Sequence, residues 1–249
     1  MLGLLEEKIM KPRLSIGVVC YGQVPQWESW RKRLTTDFSE AEIVLINNHP
    51  VDTREGEWAG HNQQFEFGAY LQLLEHFRGA EQLLLVNDTW LTQHFTSAWY
   101  LLMKKAIHIH SSEPLVLGDL RYDGSYLEER PHPFLSSWLM IAPNQTSVAG
   151  LFEAMRKTLE EPPVSLSPDY EAFLDNWLNR DYGFSGWHGP KTQEDRDRKR
   201  QCIIWEHRLS RELAIEGIQL ASLRNQGPVL HAICRLYDRA MTRWAALRR

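Results

Sequence analysis

Apolar positions along the first half of the chain follow two rhythms in turn. RLSIGVVCYG (13–22), EIVLINN (42–48), QLLLVND (82–88) and PLVLGDL (114–120) are short aliphatic runs that stop at or beside Gly, Asn or Asp, as buried strands do. Between them QWESWRKRL (26–34), FEFGAYLQLLEHF (65–77) and FTSAWYLLMKKA (95–106) space their apolar residues three and four apart, the period of a helix with one buried face. Strands alternating with helices of this length predict βαβ units and a mostly parallel sheet flanked by helices. The expected fold class is α/β, Rossmann-like.

After residue 120 the rhythm changes. RYDGSYLEERPHP reads as a polar loop, PFLSSWLMIAP (133–143) as a further strand, and 146–161, 168–180 and 203–217 as helices. DYGFSGWHGPKTQEDRDRKR (181–200) reads as a Gly-rich aromatic loop running into a solvated charge run at 194–200. In 228–249, Leu230, Ile233, Leu236, Tyr237, Met241 and Trp244 lie at helical spacing against Arg235, Arg239 and Arg243. Such a helix lies on an anionic membrane surface, docks on a partner, or packs with its basic face solvated. The chain thus divides into an α/β core, 1–145, and a helical C-terminal region, 146–249, packed on the same domain.

Composition narrows the classes. A length of 249 residues with 43% hydrophobic content suits one large α/β domain with a helical annex. A net charge of -4 argues against a nucleic-acid binder, whose affinity comes from phosphate neutralisation. Cys20, Cys202 and Cys234 are odd in number and lack C-x-x-C spacing, which supports neither a disulfide framework nor a zinc site and points to a reducing cytoplasm. MLGLLEEKIMKPRL carries two acidic residues where a signal peptide needs an apolar stretch, and no apolar run approaches about eighteen residues, so neither secretion nor a membrane span is expected. There is no G-x-x-x-x-G-K-[ST] loop, no G-x-G-x-x-G after the first strand and no G-x-S-x-G elbow. His108 and His110 could ligate a metal from one strand face, but no third ligand accompanies them.

What remains is a set of polar residues at the ends of successive strands. Tyr21 and Gly22 follow the first, Asn47, Asn48 and Asp52 the second, Asn87, Asp88 and Thr89 the third, and Asp119 closes the fourth. In a parallel sheet these ends share one rim, where ligands of open α/β sheets bind. Each residue alone suits a turn or a cap. In LLLVNDTW (83–90), Trp90 either roofs that rim or packs under the next helix.

Five short stretches carry a family resemblance: Asn47-Asn48, HNQQFEFGAY (61–70), VNDT (86–89), SSWLMIA (136–142) and EHRLSRELAIEG (206–217). With them the chain resembles a nucleotide-sugar glycosyltransferase of the GT-A type, most like the rhamnan synthesis protein F group of bacterial polysaccharide enzymes. It departs from that pattern at Glu66, where an Asp is usual, at Phe134-Leu135, where a polar lead is usual, and at Asn87-Asp88-Thr89, which stands for a D-x-D.

The resemblance implies a nucleotide-diphosphate sugar over the rim. Tyr21, Gly22 or Trp27 would lie near the base, Asn47, Asn48 and Asp52 near base and ribose, Asn62 and Glu66 on the same side, and Asn87, Asp88 and Thr89 at the diphosphate. Asp88 would be the metal ligand for Mg²⁺ or Mn²⁺, since a hard cation neutralises the leaving diphosphate. An inverting transfer needs one base for the acceptor hydroxyl. Asp119, Asp123, Glu128 and Glu129 are the candidates, Asp119 narrowly ahead. GFSGWHG (183–189), with Trp187 and His188, has the composition of an acceptor-side lid or of a surface loop. Glu206 would face the acceptor side or pair with Arg208. The implied setting is surface polysaccharide synthesis, lipopolysaccharide O-antigen or capsule. The enzyme would be cytoplasmic, in peripheral contact with the membrane, and its acceptor a saccharide or lipid-linked saccharide. The alternative is a non-catalytic module of the same fold within a polysaccharide synthase. A methyltransferase is disfavoured, because YGQVPQ supplies no Gly-rich loop.

Overall fold

The computed structural model describes residues 13–22, 27–49, 56–61, 63–91, 97–109, 111–122, 133–161, 165–179 and 192–226, with isolated residues beyond 226. The strands are β1 (Leu14–Cys20), β2 (Glu42–Asn47), β3 (Trp58–Ala59), β4 (Gln82–Asn87), β5 (Leu115–Arg121), β6 (Phe134–Ala142) and β7 (Gln219–Ser222). The helices are α1 (Trp27–Asp37), α2 (Phe65–His76), α3 (Ser97–Ile107), α4 (Gln145–Glu160), α5 (Pro168–Asn179) and α6 (Gln193–Ile215). All seven strands form one sheet in the order β3-β2-β1-β4-β6-β5-β7. Only β6 runs against its neighbours, pairing antiparallel with both β4 and β5. The protein is therefore α/β with a mostly parallel sheet, as the alternating rhythm requires.

Period-two alternation sorts each strand between two cores. Leu14, Ile16 and Val18 of β1, Leu84 and Val86 of β4 and Leu117 of β5 meet Leu34 of α1 and Trp99 and Met103 of α3. Val19, Leu83, Leu85, Val116 and Met140 meet α2, α4 and α6 on the opposite face through Phe67, Leu73, Leu151 and Leu213. Burial on both faces explains why β1 and β4 read as continuous aliphatic runs. Each such side chain contributes roughly 1.5–3 kcal/mol.

Two features depart from the sequence reading. The charge run at 194–200 is helical, forming the first turns of α6, which begins at Gln193 and not near 203. Thr192 caps it, its Oγ1 accepting from Asp195 N at 3.2 Å, and Arg196 and Arg200 reach across to Asn179 and Asp175 of α5 at 2.8 and 2.6 Å. These charges bind helix to helix. The region after 145 is also not purely helical, because β7 pairs parallel with β5 at the sheet edge. β3 and β7, of two and four residues, are too short to show a period.

β6 also carries a register shift. Gly118 opposes Met140 while Leu120 opposes Leu135, so two steps along β5 face five along β6. Gly118 permits this close approach, since a Cβ there would lie 2.6 Å from the Leu139 carbonyl oxygen and 2.4 Å from Leu135 Cδ1. Beyond β7, Val229, Ile233 and Leu236, three and four apart, are 72%, 47% and 65% exposed. No helix among the described residues is long and apolar enough to cross a membrane. Gly118→Ala is expected to cost about 1–3 kcal/mol, because backbone must move to admit the methyl group. Urea denaturation measures it, and an unchanged midpoint would show that β6 gives way freely.

Candidate functional site

The chain builds outward from β1 to β2 and β3, then returns to place β4 on the other side of β1. The connections after β1 and β4 thus part at their carboxyl ends and leave a crevice, the usual ligand position in an open α/β sheet. Asp88 stands at that point, its Oδ2 accepting from Tyr21 N at 3.2 Å. Asn87 turns the chain there, its Oδ1 accepting from Thr89 N at 3.0 Å. Burial pushes the Asp88 carboxyl up, opposed by backbone N–H donors including that of Tyr21.

The two asparagines after β2 fix the neighbouring loops. Asn47 Oδ1 accepts from Gly22 N at 3.0 Å and its Nδ2 donates to Gly22 O at 3.3 Å. The side chain thereby clasps the β1 loop at a glycine with φ 78°, a conformation that favours glycine. Asn48 Nδ2 donates to Phe65 O at 2.9 Å. Phe65 is a non-glycine residue at φ 51°, held also by Trp205, 5.9 Å between ring centroids, and by Arg198 above its ring. Such strain persists only when its surroundings over-determine it. It starts α2 so that Glu66 turns inward. Gly60 makes room, since a Cβ there would sit 1.8 Å from Asn48 Oδ1.

Glu66 and Glu206 meet at Ser137 of β6. Ser137 Oγ lies 3.1 Å from Glu66 Oε1 and 2.7 Å from Glu206 Oε1, and Ser137 N donates to the same Glu206 oxygen at 2.9 Å. Tyr70 OH donates to Ser137 O at 2.8 Å, and Cys202 Sγ lies 3.6 Å from Glu66 Oε2. Burial raises the Glu66 carboxyl above the usual range. Lys199 opposes this, while Glu206 and Asp88 add to it. Burial works to lower the Lys199 ammonium, yet Glu206 and Glu66 raise it overall. Tyr21 is raised by burial and then by Glu66, and Cys202 likewise. Asp88, Glu66 and Glu206 thus form one acidic region with Lys199 set against it. Arg208 does not join Glu206. It reaches Glu161 instead, 3.7 Å away.

Asp119 lies on the other face. Its carboxylate is 1% exposed, with Arg121 Nε at 2.7 Å, Arg224 at 3.0 Å and the Trp138 indole at 3.3 Å. Two guanidinium groups pair with it, a poor arrangement for a base. Trp27 and Trp90 are buried in the core beside α1 and α3, Trp90 with its ring centroid 6.1 Å from that of Trp30, so Trp90 packs and does not roof the rim. His108 is exposed at the end of α3. Asp52, Asn62, His110, Asp123, Glu128, Glu129, Trp187 and His188 lie outside the described residues. A hollow of about 480 Å³ between α1 and α3, lined by Lys32, Arg33, Asp37, Tyr100 and Lys104, lies away from the crevice and is bridged by the 2.8 Å Lys104–Asp37 pair.

Ser137, Tyr70, Lys199 and Cys202 are site residues that the sequence reading passed over. Residues 199, 202 and 206 fall on one helix face, a signal visible only once α6 is carried back through the charge run. Among the described residues no group of three or more His, Cys, Asp and Glu side chains is placed to hold a metal ion. No protein-family model matches the chain, and no curated protein matches it.

Because the Glu66 carboxyl is raised, it costs the folded state stability as pH climbs from the ordinary glutamate value of about 4.3 towards its own. Glu66→Gln removes that cost. The variant should gain on the wild type as pH rises through this window, read by thermal melts at roughly pH 4 and roughly pH 7. A constant difference between the two melts at both pH values would place Glu66 in an ordinary environment.

Proposed function

We propose that this protein is a nucleotide-sugar glycosyltransferase of the GT-A type. It moves a sugar from a nucleoside-diphosphate donor to a saccharide hydroxyl in the making of a bacterial surface polysaccharide, with inversion. The observation that carries the reading is Asp88 at the β1/β4 crevice, bonded to Tyr21 N. The ribose and base would lie against Tyr21 and the Asn47–Gly22 clasp, and the diphosphate beside Asp88.

A single carboxylate is a sufficient protein ligand for Mg²⁺ when substrate phosphates complete the shell, so Asp88 fits a divalent ion shared with the donor. Such an ion supplies charge neutralisation to the departing diphosphate. The chain's own groups do the rest: Asn47 fixes the loop under the nucleotide, Tyr21 holds Asp88 in place, and the half-buried crevice limits the water that competes with the acceptor. The same single carboxylate favours a second reading, a module that binds the nucleotide without turning it over.

Thermal melts with UDP, GDP, dTDP and CMP in the presence of Mn²⁺ or Mg²⁺ test both. One nucleotide at a hundredfold excess over its Kd should stabilise the fold by about 2.7 kcal/mol. Asp88→Asn should lose most of that shift. No shift with any of the four removes the transferase reading, and a shift without release of nucleotide from the matching sugar donors supports the binding module.

A further inference from the structure

The oxygens around Ser137 are short of protons unless one carboxyl carries its own. A serine hydroxyl has one proton to donate, yet its Oγ is within hydrogen-bond reach of both Glu206 Oε1, 2.7 Å, and Glu66 Oε1, 3.1 Å. It can donate to only one of them, so the other contact needs a proton on the carboxyl. Glu206 Oε1 is the acceptor, because Ser137 N already donates to the same atom at 2.9 Å and Ser136 Oγ reaches it at 3.4 Å, so the donors converge on that oxygen. That leaves the proton on Glu66. Its other oxygen faces the Cys202 thiol at 3.6 Å, and burial already favours its neutral state.

We propose that Glu66 and Glu206 hold one proton between them through the Ser137 hydroxyl, and that Glu66 is the base for the acceptor in the transfer reaction. This rests on the transferase reading above. Glu66 is half-buried at the crevice, whereas Glu206 is 7% exposed behind it. In the resting state the order is Glu66–H, Ser137–OH, Glu206 carboxylate. Glu66 passes its proton to Ser137 Oγ as Ser137 passes its own to Glu206, which leaves Glu66 ionised and facing the acceptor. The acceptor oxygen then bonds to the anomeric carbon, its proton goes to Glu66, and the bond to the diphosphate breaks with its electron pair on the leaving oxygen. The pair ends with two protons and releases one to water.

The groups around the pair fit this state. Lys199 and Cys202 face it from α6, Tyr70 from α2, Tyr21 from the end of β1 and Asp88 from the end of β4. With one shared proton, the Lys199 ammonium balances the single remaining charge of the pair. With none, two carboxylates would stand beside Asp88 against one ammonium.

Infrared difference spectra of the full chain near neutral pH test the shared proton directly. Wild type should show the carbonyl stretch of a neutral carboxyl, and Glu66→Gln should lack it. Absence of that band from the wild type overturns the proposal. Release of nucleoside diphosphate from the UDP-, GDP- or dTDP-sugar whose nucleotide shifts the melt tests the base role. Glu66→Gln should slow release by ~10²- to 10⁴-fold. Ser137→Ala, with both carboxyls in place, should slow it roughly tenfold or more, and Ser137→Thr should restore it. All three variants should titrate the nucleoside diphosphate as wild type does. Wild-type turnover in Glu66→Gln overturns the base role, as does a Ser137→Ala rate equal to wild type for the relay. Failure of the wild type to bind any of the nucleotides overturns the transferase reading and the base role together, whatever the infrared result.

Discussion

β6 runs against the strands on either side of it, and most of the candidate site follows from that reversal. Its amino end, not its carboxyl end, reaches the rim shared by β1, β2 and β4. The register shift then frees Ser137 from a ladder position opposite β5. A buried backbone N–H without a partner costs about as much as a lost hydrogen bond, roughly 1–3 kcal/mol. Here α6 supplies the partners: Glu206 accepts from Ser137 N and Ser210 accepts from Leu135 N at 2.8 Å. Residues 206 and 210 are one turn apart, so a single helix face serves both amides. The same docking carries Lys199 and Cys202 to the crevice.

The arrangement is costly at the candidate site. Phe65 is held at positive φ, and strain of that kind amounts to ~1–3 kcal/mol. Glu206 and Asp88 lie within electrostatic reach of Glu66 in a partly desolvated region, where like charges oppose its ionisation. The two doubly buried core layers offset these costs, since a few leucines at roughly 1.5–3 kcal/mol each exceed them. α2 illustrates the coupling: Phe67, Tyr70 and Leu73 anchor it on the sheet, and its first turn is thereby free to hold Phe65 and Glu66 in positions that local preference alone would not select.

The sheet was legible in the sequence because both faces of its long strands are covered. LSIGVVC and QLLLVN leave no ambiguity about burial, and their polar stops mark the rim. What could not be read was pairing. Nothing in FLSSWLMIA says that this strand runs backwards or that five of its residues face two steps of β5, because direction is a property of the neighbour. The charge run at 194–200 was misread for a related reason: solvated and interhelical charges look alike until Asp175 and Asn179 of α5 are placed opposite Arg200 and Arg196. Asn47 and Asn87 stand out in the sequence, but their amides are bonded to backbone at Gly22 and Thr89, a turn-fixing use that residue type alone does not separate from ligand binding.

Asp119 and Glu66, the proposed base, show why residue type and position on the rim do not suffice to choose between carboxylates. Both are carboxylates beside β6. Asp119 meets two guanidinium groups and an indole N–H, so its charge is compensated. Glu66 meets a hydroxyl and a thiol, with Lys199 as opposing charge and Glu206 and Asp88 as like charges. A carboxylate of the first kind takes on a new partner only by giving up its ion pairs with two partly exposed guanidinium groups. One of the second kind faces a hydroxyl that can pass a proton on, and burial with like charges nearby favours its neutral form. The distinction is a count of nearby cations, and in this fold the face of the sheet decides it: Arg121 and Arg224 converge on the α1/α3 side, while α6 brings Lys199 to the α2 side.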